Sequence, residues 1–207
     1  TLVDTATIHQ PAVLQATVMQ VDSVSCFGLA DAAALASGAG GTVPYTFLWD
    51  TAANLQSTAI ANNLAAGSYR VMVTDSNGCE ALDSINIAQP TPLVLNLINT
   101  INVSCFGGAD GSATVNASGG TAPYNYLWDA AAANQTAAFA TTLSAGNYQV
   151  TLTDTNSCDT SITVTISEPG LLIPQVDSLR NVSCFGGNDG QVTVLGTGGT
   201  TPYTYQW

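Results

Sequence analysis

The sequence predicts an all-β chain of tandem, immunoglobulin-like (fibronectin- or PKD-like) antiparallel β-sandwiches joined into an extended rod. Three observations predict it. The first is a period. Cys26, Cys105 and Cys184 recur at 79 residues, as do Trp49, Trp128 and Trp207, Pro11, Pro90 and Pro169, and Cys79 and Cys158. Self-similarity at one interval over independent markers is the signature of a repeat architecture. The second is apolar alternation at every other residue in short segments, which marks strands buried on one face. The third is a pair of aromatic landmarks in each repeat, a Trp on the third segment and a Tyr in a corner motif, placed as in immunoglobulin-like sandwiches.

The prolines set the frame. Residues 12–90 and 91–169 read as two whole repeats, 170–207 as the first half of another, and 1–11 as the last strand of a preceding one. The chain is therefore expected to begin inside a strand and stop in mid-repeat, so that its parent extends both ways.

Within residues 91–169 each element has a local reason. The expected strands lie near 93–104, 112–118, 124–129, 137–143, 147–154 and 159–167. Ala113, Val115 and Ala117 alternate with Ser112, Thr114 and Asn116; Tyr148, Val150 and Leu152 alternate with Gln149, Thr151 and Thr153; Ile162, Val164 and Ile166 alternate with Thr163, Thr165 and Ser167. Turn chemistry separates them at Gly107–Gly111, Gly119–Pro123 and Asp154–Ser157, where Gly, Pro, Asn and Asp supply unusual φ or side-chain to backbone bonds. Trp49, Trp128 and Trp207 are the expected core aromatics. Leu64-Ala-Ala-Gly-Ser-Tyr69 and Leu143-Ser-Ala-Gly-Asn-Tyr148 are the corner motifs, in which the Tyr hydroxyl bonds upstream backbone.

Charge removes several function classes. The chain has two basic residues, fourteen acidic ones and a net charge of −12. Nucleic-acid binding needs clustered Lys and Arg to neutralise phosphates, and attachment to anionic lipid needs the same. No apolar run approaches the ~20 residues of a membrane-spanning helix. Catalysis is not expected either. The single histidine, His9, is replaced at the equivalent positions by Ala88 and Ser167, so nucleophile–base chemistry lacks its base. The cysteines have no Cys-x-x-Cys spacing for a metal or redox centre.

The motifs also resemble a known family. Val-Ser-Cys-Phe-Gly at 24–28, 103–107 and 182–186, Gly-Gly-Thr-x-Pro-Tyr before each Trp, and Leu-x-Ala-Gly-x-Tyr ahead of Thr-Asp-x-Asn-x-Cys are similar to the SprB repeat. The resemblance covers essentially the whole chain. It implies type IX secretion, display at the cell surface as long filaments, and adhesion to a surface or polysaccharide during gliding motility. The alternative is a carbohydrate-binding or spacer module of a large secreted enzyme, or a passive matrix or lattice protein. Tyr45, Tyr124 and Tyr203 are the residues a sugar platform would use. Leu29-Ala-Asp-Ala32 departs from the family's Gly-x-Asp-Gly, so that turn is expected to differ locally.

Five cysteines suit an oxidising exterior. Two connectivities stay open: Cys26–Cys79 and Cys105–Cys158 within repeats, or Cys26–Cys158 between repeats. In an immunoglobulin-like topology the within-repeat partners lie at opposite ends, ~25–30 Å apart, beyond the reach of a disulfide. Cys184 has no partner within the chain in either scheme. Asp31, Asp110 and Asp189 recur in the first turn, Asp75 and Asp154 in a late one; they read as turn-stabilising residues. Asp31, Asp110 and Asp154 are also weak Ca²⁺ candidates, the cation that several hard oxygens would hold, although no Asp-x-Asp-x-Asp loop accompanies them. The bacteria that carry the family glycosylate Asp-(Ser/Thr)-apolar triplets, which makes Thr5, Ser23, Thr51, Ser84 and Ser178 candidate O-glycosylation sites. The partners expected are neighbouring repeats of the same chain.

Overall fold

A computed structural model describes residue 4 and residues 6–207. The alternation of the sequence becomes strands. In residues 12–90 these are β1 (Gln15–Asp22), β2 (Ala32–Ala39), β3 (Thr46–Trp49), β4 (Ile60–Leu64), β5 (Gly67–Thr74) and β6 (Glu80–Ile87). Residues 91–169 give the same set displaced by 79 positions: β7 (Val94–Ile101), β8 (Gly111–Ser118), β9 (Asn125–Trp128), β10 (Phe139–Leu143), β11 (Gly146–Thr153) and β12 (Asp159–Ile166). Residues 170–207 give the antiparallel pair β13 (Ile173–Arg180) and β14 (Gln191–Thr197).

The topology is immunoglobulin-like. One sheet of the first repeat is β1-β2-β4 and the other β3-β5-β6; the second repeat has β7-β8-β10 and β9-β11-β12. First, second and fourth strands against third, fifth and sixth is the ABE/CFG division of that fold with one edge strand fewer. By contact density the chain forms two compact units. One runs to Pro92 and takes in Gly119–Thr121; the other comprises Leu93–Ser118 and Ala122–Trp207.

Each sandwich is built around its tryptophan. Trp49 and Trp128 are fully buried, and each indole N–H donates to a backbone carbonyl, Thr58 at 3.0 Å and Ala137 at 2.9 Å. The facing strand makes room with small residues: Ala32, Ala34 and Ala36 in one core, Ala113 and Val115 in the other. A large ring set against small side chains lets the facing sheets interdigitate. The corners form as expected. Tyr69 donates to the Ala65 carbonyl at 2.9 Å and Tyr148 to that of Ser144 at 2.8 Å. Among the described residues no buried side-chain nitrogen or oxygen lacks a partner.

Glycine is required where the second strand turns into the third. Gly40 and Gly119 have φ of +75° and +72°, a region other residues enter only at a cost. A Cβ on Gly40 would also fall well inside contact distance of the Val13 carbonyl oxygen, and one on Gly119 inside that of Pro92. The same Gly-Gly turn therefore packs down on the segment leading into the first strand of each repeat.

Two observations concern the ends of the sequence, and one expectation is corrected. Residues 6–11 form no strand. Trp207 is exposed in a segment, residues 170–207, that holds only the first two strands of its repeat, β13 and β14. The Leu29–Ala32 departure leaves its turn unchanged. The left-handed residue is Gly28 in one repeat and Gly107 in the other, and the following N–H closes onto the cysteine carbonyl in both, Leu29 to Cys26 at 3.1 Å and Gly108 to Cys105 at 3.0 Å.

Candidate functional site: the cysteine-bearing turns

Each repeat carries cysteine in two turns, and the fold decides where those turns lie. In the first repeat Cys26 sits between β1 and β2. The Gly28 N–H there is bound by Gln89 Oε1 at 2.7 Å, from the segment just beyond β6. Cys79 sits between β5 and β6. That turn is tied to the loop between β2 and β3, where the Thr42 N–H donates to Asp75 Oδ2 at 2.9 Å. The two turns thus occupy opposite ends of strands eight residues long, ~25 Å apart at strand rise. In the second repeat Gly107 donates to Glu168 Oε2 at 2.6 Å at one end, and Thr155 to the Pro123 carbonyl at 3.1 Å at the other. Cys105 and Cys158 are separated in the same way.

Cys26 and Cys158 are in the disulfide-bonded state. Cys79, Cys105 and Cys184 are exposed free thiols. Neither within-repeat bond, Cys26–Cys79 or Cys105–Cys158, is therefore formed, and the length of the strands is the physical reason.

Aspartates hold both turns rigid. Asp31 accepts from the Ser25 hydroxyl and from its N–H at 3.0 Å, and Asp110 and Asp189 do the same for Ser104 and Ser183. In the late turn, buried Asp75 accepts from the N–H groups of Cys79, Thr42 and Asn77, each at 2.9 Å. Asp154 accepts from Asn156 and Cys158. The Ser25 and Ser104 hydroxyls pull Asp31 and Asp110 below the ordinary carboxylate range. The Ser183 N–H does so for Asp189, and the Cys79 N–H for Asp75. These are hydrogen-bond effects on the charged form. They make the carboxylates turn-tying acceptors, and no group of three or more His, Cys, Asp or Glu side chains placed to hold a metal exists among the described residues.

A pH dependence follows. Lowered folded-state values mean stability that is fully present above the unfolded carboxylate range and is lost as pH falls through it. The melting temperature is expected to hold from neutral pH down to about pH 5 and then fall steadily towards about pH 2. Asp75→Asn should flatten part of that fall. A melting temperature independent of pH across this range would contradict the assignment.

The other candidates occupy plain structural positions. The Tyr45 ring lies over Gly38 and its hydroxyl donates to the Gly40 carbonyl at 2.5 Å. Tyr124 packs on the second core, and Tyr203 lies over Gly196 with its hydroxyl on the Gly198 carbonyl. All three are half-buried and do not form an exposed aromatic platform. Ser23, Thr51, Ser84 and Ser178 are exposed. The Asp83 beside Ser84 binds the Val18 N–H at 2.8 Å, tying β6 to β1. Thr5 lies outside the described residues. His9 is exposed.

Some organising residues carry no obvious chemical signature. Asp50 and Asp129 cap a short 3-10 turn after the third strand and also accept from the fifth, through the N–H of Arg70 at 3.0 Å and of Gln149 at 2.9 Å. Gln56 and Gln135 join that turn to the fourth strand through both ends of their amides. Their recurrence at 79 residues is the signal that could have singled them out.

Three segments of the chain, residues 19–54, 97–133 and 177–207, match the family model of the SprB repeat. Together they make up half of the chain. The chain belongs to the SprB repeat family. Each matched segment opens in the first strand, contains the Val-Ser-Cys-Phe-Gly turn and extends to the tryptophan of its repeat or just beyond, so the match falls on the turn and core residues described above. No curated protein sequence matches the chain. Solved structures resemble the SprB-repeat chain at low identity. The three N-terminal domains of the bacteriophage RB49 highly immunogenic outer capsid protein are 15 % identical, with a TM-score of 0.47, over 92 % of this chain and 70 % of that one. A C-terminal fragment of intimin, solved with the intimin-binding domain of its translocated receptor, is 13 % identical with a TM-score of 0.40, over 76 % and 65 %. The eight N-terminal immunoglobulin domains of the Down syndrome cell adhesion molecule are 9 % identical with a TM-score of 0.39, over 81 % and 32 %. No helix among the described residues is long and apolar enough to cross a membrane.

Proposed function

We propose that this chain is a stretch of a long extracellular filament of SprB repeats that attaches a cell to surfaces and bears load during gliding, with export by type IX secretion. The observation that carries the reading is the placement of the two cysteines of each repeat at opposite ends of the sandwich, with Cys26 and Cys158 as the bonded ones. In a head-to-tail stack a bond from the first turn of one repeat to the late turn of the next, Cys26 to Cys158, crosses one junction and staples it. Force then passes through a covalent link in addition to the single connecting strand. The proline-rich joint Ala88-Gln-Pro-Thr-Pro-Leu93 supports the same reading, since Pro fixes φ and keeps the preceding residue extended. Nearest-neighbour stacking would also add stability that one small repeat lacks.

The half-buried Tyr45, Tyr124 and Tyr203 favour a load-bearing role over a carbohydrate-binding accessory module. An antibody raised against residues 12–169 is expected to decorate intact cells carrying the parent protein and to slow their attachment and gliding. Labelling that appears only after the cells are permeabilised would overturn the surface assignment, and labelling without effect on attachment would overturn the adhesive one.

A further inference from the structure

The outer face of the sheet β3-β5-β6 in residues 12–90 is apolar where its counterpart in residues 91–169 is polar. Leu48 on β3 pairs in register with Met72 on β5, and Met72 with Leu82 on β6, so the three side chains form one row across the sheet. The alternation of β5 puts Tyr69, Val71 and Val73 in the core and leaves Arg70 and Met72 on this face. Leu55, from the turn after β3, joins Arg70 and the row in lining a shallow depression. Leu48, Leu55, Arg70 and Leu82 are exposed, and Met72 is half-buried. At the equivalent positions 79 residues later stand Leu127, Asn134, Gln149, Thr151 and Ser161, which keep one leucine and lose the rest of the patch and its cation. The fold does not need these apolar side chains, since the second sandwich forms the same sheet without them. Clustered exposed apolar residues with an arginine among them have the composition of a binding surface.

The charges on this face select its partner. Arg70 makes no salt bridge among the described residues, whereas Arg180, the other basic residue, reaches Asp189 at 3.6 Å. Arg70 lies two residues to one side of the apolar row; Glu80, exposed and opposite Thr74 in register, lies two residues to the other. We infer that this face pairs with the same face of a second copy of the chain, turned about a two-fold axis along the Leu48–Met72–Leu82 row. The contact is isologous. The row packs on itself at a sheet spacing of about 10 Å. Reversal of strand direction sets Arg70 of each copy across from Thr74 of the other, with Glu80 of that copy on the neighbouring strand, about 5 Å to the side. Two Arg70–Glu80 ion pairs then flank the row. The apolar contact holds the copies together against a net charge of −12 on each, and the ion pairs fix the antiparallel register. One sheet face is small for a protein interface, so the association is weak and reversible. It uses none of the cysteines and stands or falls apart from the stapled filament.

The test is sedimentation equilibrium of the chain, unmodified at Ser84, which stands beside Arg70 in register, with non-reducing electrophoresis to show that no disulfide joins the copies. The expected result is a reversible monomer–dimer equilibrium at concentrations up to about 1 mM. Met72→Thr and Leu82→Ser install residues with which the second sandwich already folds, and together they should weaken the dimer about tenfold or more. Arg70→Glu and Glu80→Arg should each weaken it by a similar factor, because each sets like charges together. The two charge variants mixed, or the double variant Arg70→Glu/Glu80→Arg alone, should recover the wild-type constant, a result that misfolding would not give. A chain that stays monomeric to about 1 mM overturns the self-pairing and leaves the face to a partner of another kind. A dimer that Met72→Thr/Leu82→Ser leaves intact overturns the face. Failure of both the mixture and the double variant to recover overturns the pairing in this register.

Discussion

Trp128→Ala is expected to unfold the second sandwich while leaving the first folded. The side chain is fully buried, its indole N–H is bound to the Ala137 carbonyl, and the alanines packed around it cannot collapse into the space it leaves. Removing a buried Trp of this kind costs about 3–5 kcal/mol. A small sandwich has only about 5–15 kcal/mol in all, and at this size it lies towards the lower end. Thermal unfolding followed by near-ultraviolet circular dichroism should split into two transitions, the lower one displaced by more than about 10 °C. A single transition at the wild-type temperature would show that Trp128 is not the centre of its core.

Reduction of the chain is expected to lower its stability by a comparable amount, through the unfolded state. Cys26 and Cys158 are 132 positions apart. Cross-linking a loop of that length removes about 4.7 kcal/mol or slightly more of denatured-state entropy in the chain-entropy treatment. The proposed staple thus predicts that Cys26→Ser and Cys158→Ser each shift the denaturant midpoint as far as a reducing agent does. The double variant should shift it no further, because the two residues act as one unit. Cys79→Ser and Cys105→Ser should leave the monomer's midpoint in place. Additive effects of Cys26→Ser and Cys158→Ser would contradict a shared bond.

The strands were legible because half-buried strands must alternate. Segments such as Tyr148–Thr153 and Ile162–Ser167 have one face against a core and one in water, and their sequence records it directly. The tyrosine corner was legible for a similar reason, since Leu143-Ser-Ala-Gly-Asn-Tyr148 places the hydroxyl four residues from the carbonyl it reaches. The turn at Leu29 misled. A changed motif suggested a changed turn, yet the conformation depends on the positive φ of Gly28, which the repeat keeps. Asp50 and Gln56 escaped notice because their partners, the Arg70 and Asn62 backbone, are brought near only when the third, fourth and fifth strands assemble. The turn carboxylates accept from nearby backbone, as Asp at turns commonly does, with Asp75 the fullest case.

The cysteines are where local pattern and topology part company. Sequence distance favours a bond inside each repeat; strand length and direction oppose it. Non-reducing peptide mapping of the monomeric chain, cleaved at its aspartates since it has only two basic residues, is the decisive test of the staple. A stapled filament gives one linked pair, the peptide holding Cys26 joined to the peptide holding Cys158, with Cys79, Cys105 and Cys184 recovered as thiols. Recovery of Cys26 joined to Cys79, or of Cys105 joined to Cys158, would contradict it and leave a string of separately closed repeats in place of a stapled filament.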